Sequence, residues 1–520
     1  MKAHVHYFSQ KDSIKQGVDL DVLGQRGRQA NEFSELGFPI LPGFIIDSVV
    51  ASKLEDEQVS ATIKPFMKKV DAIVAKAYAD PHEPMLVKIV ISPNLAISNY
   101  PALHNFGLTR ETVAGFTSFV GENFAAHEVT FLARGMLKIE ERIAELEGRE
   151  KDLERIRERI VRASGIMDNA KPGTKALAMM DSYADILPEG FFDDAWGQLE
   201  IAIKRISRML KLDDQDDNDT AILVQPMVYG NYGKNSASGA FYTRNVVNGE
   251  KKLQGEFFVE SFDEIGATGN DINKIAPKHL KELQRIAESL EDHQREIRQI
   301  RFTIEKDTLW LIEQRQVMAK STQADIKLLL DLNARKVVDD SFVINAIQPG
   351  RLNEILHPIV DMASVKKLSG VTGGIAGAPG AAIGRVYFST EALLEAYRVA
   401  QQKGEDKRMI LCMPATFAED VKAIEVATGV LSCEGGYSAH ASVVARQYGK
   451  VSLVKPEMRI RGKKATIGEL ALSEGDFITI NVPYYVDPQV WLGKAALVEP
   501  NPAESGLFEF IDLVKKQMKS

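Results

Sequence analysis

Residues 433–446 constrain the chain more than any other stretch. An apolar run at 428–431 is typical of a buried parallel strand, and it leads into a turn that contains Gly435 and Gly436. The small residues and valines that follow predict a helix that starts near His440. A strand, a glycine turn and a helix together direct backbone N–H groups and the positive end of a helix dipole at an anion. A lone histidine in such a place is more often a packed core residue than a phosphoryl acceptor. The choice between these two interpretations of His440 therefore depends on the surrounding motifs.

Two further motifs precede His440 in a fixed order. Residues 374–384 read Gly-Ile-Ala-Gly-Ala-Pro-Gly-Ala-Ala-Ile-Gly, and residues 418–421 read Ala-Glu-Asp-Val. The three motifs resemble the phosphohistidine region of the PEP-utilising enzymes, most closely the pyruvate phosphate dikinases. The dikinase segments read Gly-x-x-Ala-Ser-Pro-Gly-Ala-Ala-x-Gly, Pro-Glu-Asp-Val, and Gly-Gly-x-Thr-Ser-His-Ala-Ala before Val-Val-Ala-Arg. The resemblance implies that His440 is the residue that is phosphorylated and that Gly435 and Gly436 belong to its phosphate-binding loop.

Ser438 stands two residues before His440, where the dikinases carry a threonine that a dedicated regulatory kinase and phosphatase can modify. A phosphate on Ser438 would place roughly two negative charges beside the ring that must accept another phosphoryl group. Serine is also a favoured residue at the start of a helix, where its hydroxyl caps backbone N–H groups. The regulatory interpretation and the helix-cap interpretation both stay open.

Length and composition limit the class of protein. A chain of 520 residues predicts several domains, and 45% hydrophobic with 26% charged residues describes an ordinary soluble globular protein. The net charge of −8 argues against nucleic-acid binding by electrostatics. The two cysteines, Cys412 and Cys433, lack a metal-type spacing and fit a reducing compartment. No apolar run approaches the ~18 residues of a membrane span, and the N-terminus does not read as a signal peptide. We therefore expect a cytoplasmic protein with no membrane or nucleic-acid partner.

The first half of the chain resembles the ATP-grasp-like region of the same family. The similarity covers a glycine turn and Pro/Gly cluster at 19–44, a β pattern at 221–245, and a predicted hairpin at 302–315. Arg26 occupies the position of a family lysine that reaches the phosphates of the nucleotide. Arginine keeps that charge but not the compact ammonium group. The resemblance implies Mg²⁺ and ATP as cofactors.

Several positions of that region depart from the family pattern. Gln299 and Arg301 stand where active relatives carry an Asp and a Glu that hold Mg²⁺ and ATP, and Glu313 replaces a glutamine that contacts the nucleotide. A β-branched residue replaces the arginine of the strand predicted at 85–92, and we expect Lys88 to lie on the wrong face of that strand to replace it. A cation in place of a metal-binding carboxylate repels Mg²⁺. The sequence therefore predicts weak binding of Mg·ATP or none, and no metal ligand is assigned.

The predicted fold class is an α/β multidomain protein. Residues 1–320 form the ATP-grasp-like region, with a charged helical insert at about 109–212, and residues 321–365 form a helical linker. Residues 366–498 form a swivelling β/β/α phosphohistidine domain, and residues 499–520 form the stub of a second linker helix. The heptad-like spacing at 138–164 fits either a coiled-coil contact surface or a long exposed helix packed along one stripe. We expect the PEP/pyruvate-binding barrel of the family to be absent.

Two functions of different classes follow. The first is a dikinase-like phosphotransferase half, in which His440 carries a phosphoryl group to a separate PEP/pyruvate barrel protein. The second is a catalytically degenerate pseudoenzyme that binds or regulates a full-length dikinase or another partner. The intact segment around His440 favours the first function, whereas Gln299, Arg301 and Glu313 favour the second. A homo-oligomer is compatible with either function.

Overall fold

The computed structural model describes residues 2–14, 17–94, 100–101, 103–168, 175–213, 220–262, 269–317, 320–416, 420–434, 440–483 and 486–518, without the side chains at 167, 168, 353 and 440. Two units divide the chain. The first comprises Met1–Phe241, Gly255–Glu282 and Ile300–Gln314, and the second comprises Tyr242–Gln254, Leu283–Gln299 and Arg315–Ser520. The architecture is a mixed α/β, multidomain one, as the sequence predicts. The finer domain boundaries of the sequence analysis stay predictions.

Side chains that precede the helices fix where several of them start. Asp194, Ser321 and Ser389 each accept hydrogen bonds from backbone N–H groups of the first helical turn. Short 3₁₀ turns occupy Lys2–His4, Leu20–Leu23, Ile272–Lys274 and Pro349–Leu356. The α-helices of the described residues are α1 (Gly24–Glu35), α2 (Ser48–Ala51), α3 (Val59–Val74), α4 (Val113–Val120), α5 (Glu122–Leu146), α6 (Glu150–Asp168), α7 (Ala176–Tyr183), α8 (Ala195–Leu212), α9 (Pro277–Gln294), α10 (Thr322–Ala334), α11 (Asp340–Ala346), α12 (Thr390–Lys403), α13 (Val421–Val426), α14 (His440–Gln447) and α15 (Leu507–Gln517).

The strands are short and form several separate sheets. They are β1 (Val5–Phe8), β2 (Gly43–Ile46), β3 (Ala77–Tyr78), β4 (Pro84–Met85), β5 (Val87–Ser92), β6 (Leu103–Phe106), β7 (Ala221–Pro226), β8 (Ala237–Tyr242), β9 (Gln254–Val259), β10 (Asn270–Asp271), β11 (Arg298–Glu305), β12 (Thr308–Gln316), β13 (Ile359–Val360), β14 (Gly370–Thr372), β15 (Ile375–Ala378), β16 (Gly380–Tyr387), β17 (Met409–Met413), β18 (Gly429–Ser432), β19 (Val451–Val454), β20 (Arg459–Arg461), β21 (Lys464–Ile467), β22 (Leu470–Ser473), β23 (Phe477–Val482), β24 (Gln489–Leu492) and β25 (Leu497–Val498).

The first unit contains a five-stranded sheet of order β1-β2-β7-β5-β6. Alternate residues of a strand face opposite sides of its sheet. On β5, Val87, Ile89 and Ile91 enter a core that also contains apolar residues of α3, α5 and α8. The intervening residues of β5 face the opposite side, where Ser92 contacts the start of α1. This second face is the one that carries the charged residues described below.

A second five-stranded sheet has the order β10-β9-β8-β11-β12. Its strands β11 and β12 are joined by a two-residue turn at Lys306 and Asp307, both with positive φ. Phe302 packs against Phe241 of β8 with ring centroids 5.9 Å apart. These strands confirm the hairpin that the sequence predicts at 302–315.

The second unit is organised around an eight-stranded sheet of order β14-β24-β23-β16-β17-β18-β19-β15. Strands β16 to β19 pair in parallel, and the remaining pairs are antiparallel. Residues of β17 alternate between two cores: Met409 and Leu411 pack with α12, α13 and α14, whereas Ile410 and Cys412 pack with the small sheet β20-β21-β22. The large sheet therefore lies between a layer of helices and a layer of strands.

The charged helical insert of the first unit does not contain one continuous helix at 138–164. Helix α5 ends at Leu146, and α6 begins at Glu150 and packs back on α5. Gly148 has a φ of 66°, a left-handed conformation that favours glycine and ends helices. Arg149 N–H closes the end of α5 by donating to the carbonyl of Ala144. No helix within the described ranges is both long and apolar enough to cross a membrane.

Candidate functional site

His440 is the first residue of α14, which follows β18 along the chain. Strand β18 is buried along its whole length and pairs in parallel with β17 and β19. A helix that follows a parallel strand starts near the carboxyl edge of the sheet, and this is where open α/β sheets bind ligands. The strand and the helix predicted on either side of the glycine turn are thus confirmed. Gly435, Gly436 and Ser438 lie outside the described residues, and their roles stay predictions.

The chain that leaves β18 is fixed to the chain that leaves β17. The N–H groups of Cys433 and Glu434 donate to the carbonyl of Pro414 over 3.1 and 2.8 Å. Burial raises the pKa of the Cys433 thiol. The thiol therefore stays protonated at neutral pH, and it is a poor nucleophile beside the histidine segment.

A second group of predicted site residues lies at the start of α1 in the first unit. Gly24 opens α1 with a φ of 64°, and a Cβ on it would lie 1.9 Å from the carbonyl oxygen of Ser92. Only glycine allows this approach. The N–H of Arg26 donates to Ser92 Oγ over 2.9 Å, and the N–H of Gln25 donates to the carbonyl of Pro93. Because these amides already have acceptors, charge at this site comes from side chains.

Arg26 and Glu313 meet across this face of the first unit. The Nη1 atom of Arg26 lies 3.6 Å from Oε1 of Glu313, which is on β12. Lys88 of β5 faces the same pair of charges. Burial and the positive charge of Arg26 lower the pKa of Lys88 from 10.5 to about 8, and the carboxylate of Glu313 opposes that shift. Lys88 shares its face of β5 with Val90, whereas Val87 and Ile89 on either side of it point into the core. That Lys88 does not take the place of the family's arginine stays a prediction.

His104 on β6 adds a titratable ring near Lys88. Strands β5 and β6 are antiparallel neighbours. Burial, and secondarily the charge of Lys88, lower the pKa of His104 from 6.5 to about 4. The ring is therefore neutral at pH 7. Neither Lys88 nor His104 was predicted as a site residue, although a lone lysine in an apolar strand was a usable signal.

Gln299 and Arg301 lie two residues apart on β11, so they share one face of that strand. Gln299 is half-buried and Arg301 is exposed. Glu305 is the carboxylate on the same face of β11. Its Oε1 atom pairs with Lys76 Nζ over 2.5 Å, and its Oε2 atom accepts from the N–H of Tyr229 over 2.8 Å. This buried carboxylate is already committed to protein partners.

The residues present on β11 do not fit a Mg²⁺ site. A hard cation needs oxygen ligands. Strand β11 offers an amide and a guanidinium at the two positions, and its own carboxylate, Glu305, is paired with Lys76. Across the described parts of the chain, no group of three or more His, Cys, Asp or Glu side chains is arranged to hold a metal ion.

Comparison with known proteins shows which class of protein the chain resembles. Residues 405–482, which include β17, β18 and α14, match the PEP-utilising enzyme mobile domain. Over 516 residues, and 99% of its length, the chain is 53% identical to pyruvate, phosphate dikinase of Treponema pallidum (strain Nichols). It is 28% identical over 92% of its length to the chloroplastic pyruvate, phosphate dikinase 1 of Arabidopsis thaliana, and 27% identical over 97% of its length to the Rickettsia conorii dikinase.

These matches confirm the resemblance seen in the sequence motifs: the chain belongs to the pyruvate phosphate dikinase family of PEP-utilising enzymes. It spans 57% of the length of the Treponema relative, 52% of the Arabidopsis relative and 60% of the Rickettsia relative.

Proposed function

We propose that this chain is a dikinase-like phosphotransferase half in which His440 carries a phosphoryl group. In this proposal His440 passes the group to a PEP/pyruvate barrel on a separate protein, such as a full-length dikinase. The observation that supports it most is that His440 begins α14 directly after the buried strand β18, within the residues that match the PEP-utilising mobile domain.

The chemistry of the carrier follows from this position. When PEP on the barrel is the donor, the P–O bond to its enol oxygen breaks, a P–N bond forms to the imidazole of His440, and the enolate that remains is protonated to pyruvate. Transfer from His440 to the barrel is the reverse of this step. The amides of the loop at Gly435 and Gly436 and the dipole of α14 would offset the negative charge of the phosphate. The second unit would supply the swivelling domain that moves the carrier between sites, and the first unit would supply an ATP-grasp-like scaffold.

Phosphate chemistry provides the test of the carrier. Purified protein is incubated with Mg·ATP, Mg·ADP or PEP, each with and without a dikinase barrel. We expect acid-labile, base-stable phosphate that maps to His440 and disappears in His440→Ala. Label that persists in His440→Ala would refute the assignment.

The changed positions on β11 and β12 favour a second candidate function, a catalytically degenerate partner that binds or regulates a dikinase. The specific observation is the replacement of metal-binding carboxylates by Gln299 and Arg301, together with the Arg26–Glu313 contact. This candidate replaces the first if no donor labels the protein even with a barrel present. In both candidates Mg²⁺ and ATP are cofactors of the family that this chain binds weakly or not at all.

A further inference from the structure

Gly377 forms a bulge in β15, next to the helix that begins at His440. Strand β15 pairs with β19 in an antiparallel register in which Ala376 faces Leu453 and Ala378 faces Ser452. Gly377 is the extra residue between these two pairs. A β-bulge bends its strand locally, and bulges are common next to active sites, where they redirect neighbouring groups.

Helix α14 packs into the space that this glycine leaves. A Cβ atom on Gly377 would lie 2.3 Å from Ser442 Oγ and 2.6 Å from Ser452 Oγ, closer than Cβ atoms come to any such neighbour. Ser442 and Ser452 are both fully buried, and their Oγ atoms are 3.4 Å apart. The hydroxyl of Ser442 therefore occupies the volume that any side chain at position 377 would need.

A second contact joins the same two elements. The guanidinium of Arg446 donates a hydrogen bond to the carbonyl oxygen of Gly377. Residues 442 and 446 are four apart and lie on the same face of α14, one turn from each other. Two contacts one turn apart on one bulge restrict both the rotation of the helix and its position along its axis.

The sequence differs from the dikinase motifs at the two residues that touch. The motif at 374–384 has alanine at the position of Gly377, and the histidine motif has alanine at the position of Ser442. One position has lost a methyl group and its neighbour has gained a hydroxyl, so the local volume is nearly conserved. Such volume-conserving exchanges are the substitutions that a packed core tolerates best.

We propose that Gly377, Ser442 and Arg446 form a seat that positions the helix starting at His440. They are positioning residues and not catalytic ones, because they act through the backbone of α14. The inference rests on the proposed carrier function of His440. It assigns to β15 a specific task in that function, which is to hold the first turn of α14, where His440 lies, in a fixed position.

The test is a rescue experiment with two readouts. Gly377→Ala is compared with the combined variant Gly377→Ala/Ser442→Ala/Ser452→Ala, which removes both hydroxyls that the new methyl meets. Gly350→Ala is the matched control, since a Cβ there has no neighbour within 4 Å. The readouts are the rate at which His440 is labelled from PEP with a dikinase barrel, and hydrogen exchange of the amides at 441–447.

We expect Gly377→Ala to slow labelling roughly ten- to hundredfold, because a small misplacement of a reacting group has effects of that size, and to speed hydrogen exchange in α14. The combined variant should recover both, and Gly350→Ala should change neither. Unchanged labelling and exchange in Gly377→Ala, or no recovery in the combined variant, would overturn the seat. If the parent protein is not labelled at His440 while exchange is still lost and recovered as described, the carrier proposal fails and the seat stands as a structural feature only.

Discussion

The surroundings of His440 and strand β11 both depart from the dikinase pattern, but they do so in different ways. At the helix, the smaller residue at position 377 is matched by the larger Ser442, and Arg446 of α14 donates to the carbonyl oxygen of Gly377 on β15. On β11, Gln299 and Arg301 replace carboxylates by groups without negative charge, and the described residues hold no group of three or more side chains arranged to bind a metal ion.

The difference shows that changes in side-chain shape are easier to compensate than changes in metal ligands. A change in shape can be compensated by the residue that it touches, because only local volume has to be conserved. A metal site depends on the number and charge of its oxygen ligands, and a nearby cation cannot supply them. We therefore expect the region around His440 to keep phosphoryl transfer. We expect the region around Gln299 and Arg301, called the metal-nucleotide region below, to have lost the binding of Mg·ATP.

The largest effect is expected from a charge placed beside the carrier. Ser438→Asp should lower labelling of His440 by at least roughly tenfold, since a fixed negative charge two positions away along the chain opposes the arrival of a phosphoryl group. Ser438→Ala lacks that charge and is the control. Labelling is measured by intact mass at neutral pH. If Asp leaves labelling untouched while Ala unfolds the domain, then Ser438 is only a helix cap and the regulatory idea is wrong.

Restoring carboxylates on β11 should restore part of the Mg²⁺-dependent nucleotide binding that the changes at Gln299 and Arg301 remove. Gln299→Asp/Arg301→Glu is expected to strengthen the Mg²⁺-dependent part of ATP binding by roughly tenfold or more, because it removes a cation and adds two hard ligands. Calorimetry with and without Mg²⁺ measures this effect. Gln299→Asn/Arg301→Gln removes the cation without adding carboxylates, and it should not restore metal dependence. Micromolar Mg²⁺-dependent affinity in the parent protein would contradict the comparison.

Lys88 tests the electrostatics of the first unit through pH. Its pKa of about 8 in the folded protein is below the ordinary 10.5, so the unfolded chain binds more protons between these values and stability rises with pH there. Below pH 8 the half-buried charge opposes folding. We expect Lys88→Met to be more stable than the parent at pH 7 by roughly 1–3 kcal/mol. The difference should close as the pH approaches 10.5.

Urea unfolding at several pH values measures this difference. Lys281→Met, at an exposed position of α9 in the first unit, is the control and should show no such pH dependence. A Lys88→Met variant whose stability tracks the parent at every pH would show that Lys88 is solvated.

The smallest effect concerns His104. Its pKa of about 4 reflects burial first and the charge of Lys88 second. Lys88→Met should therefore raise the pKa of His104 by only a fraction of the total shift, whereas Lys281→Met should leave it unchanged. NMR titration of the imidazole measures it. A pKa of His104 near 6.5 in the parent protein would contradict the burial of this face.

Local sequence patterns predicted the elements around His440. A buried strand, a glycine turn and a run of small residues are neighbours in the chain, so β18 and α14 could be placed before the structure was known. Local chemistry decides such elements.

The sequence did not predict contacts between distant segments. The approach of Arg26 to Glu313 depends on how α1 and β12 fold together, and the helical period at 138–164 gave no warning that Gly148 interrupts it. The sequence also gave no sign that Lys88 would face the charges of Arg26 and Glu313, since these residues come from α1 and β12. The contacts of Gly377 with Ser442 and Arg446 were not predicted either, because these residues come from separate elements of the fold.

The most direct test of the account measures donor preference on one protein. The parent chain is incubated in parallel with Mg·ATP and with PEP plus a dikinase barrel, and acid-labile phosphate at His440 is quantified by peptide mapping. The account predicts label from PEP and background label from Mg·ATP, because the carrier region is kept and the metal-nucleotide region is not. Efficient labelling of His440 by Mg·ATP alone would contradict it.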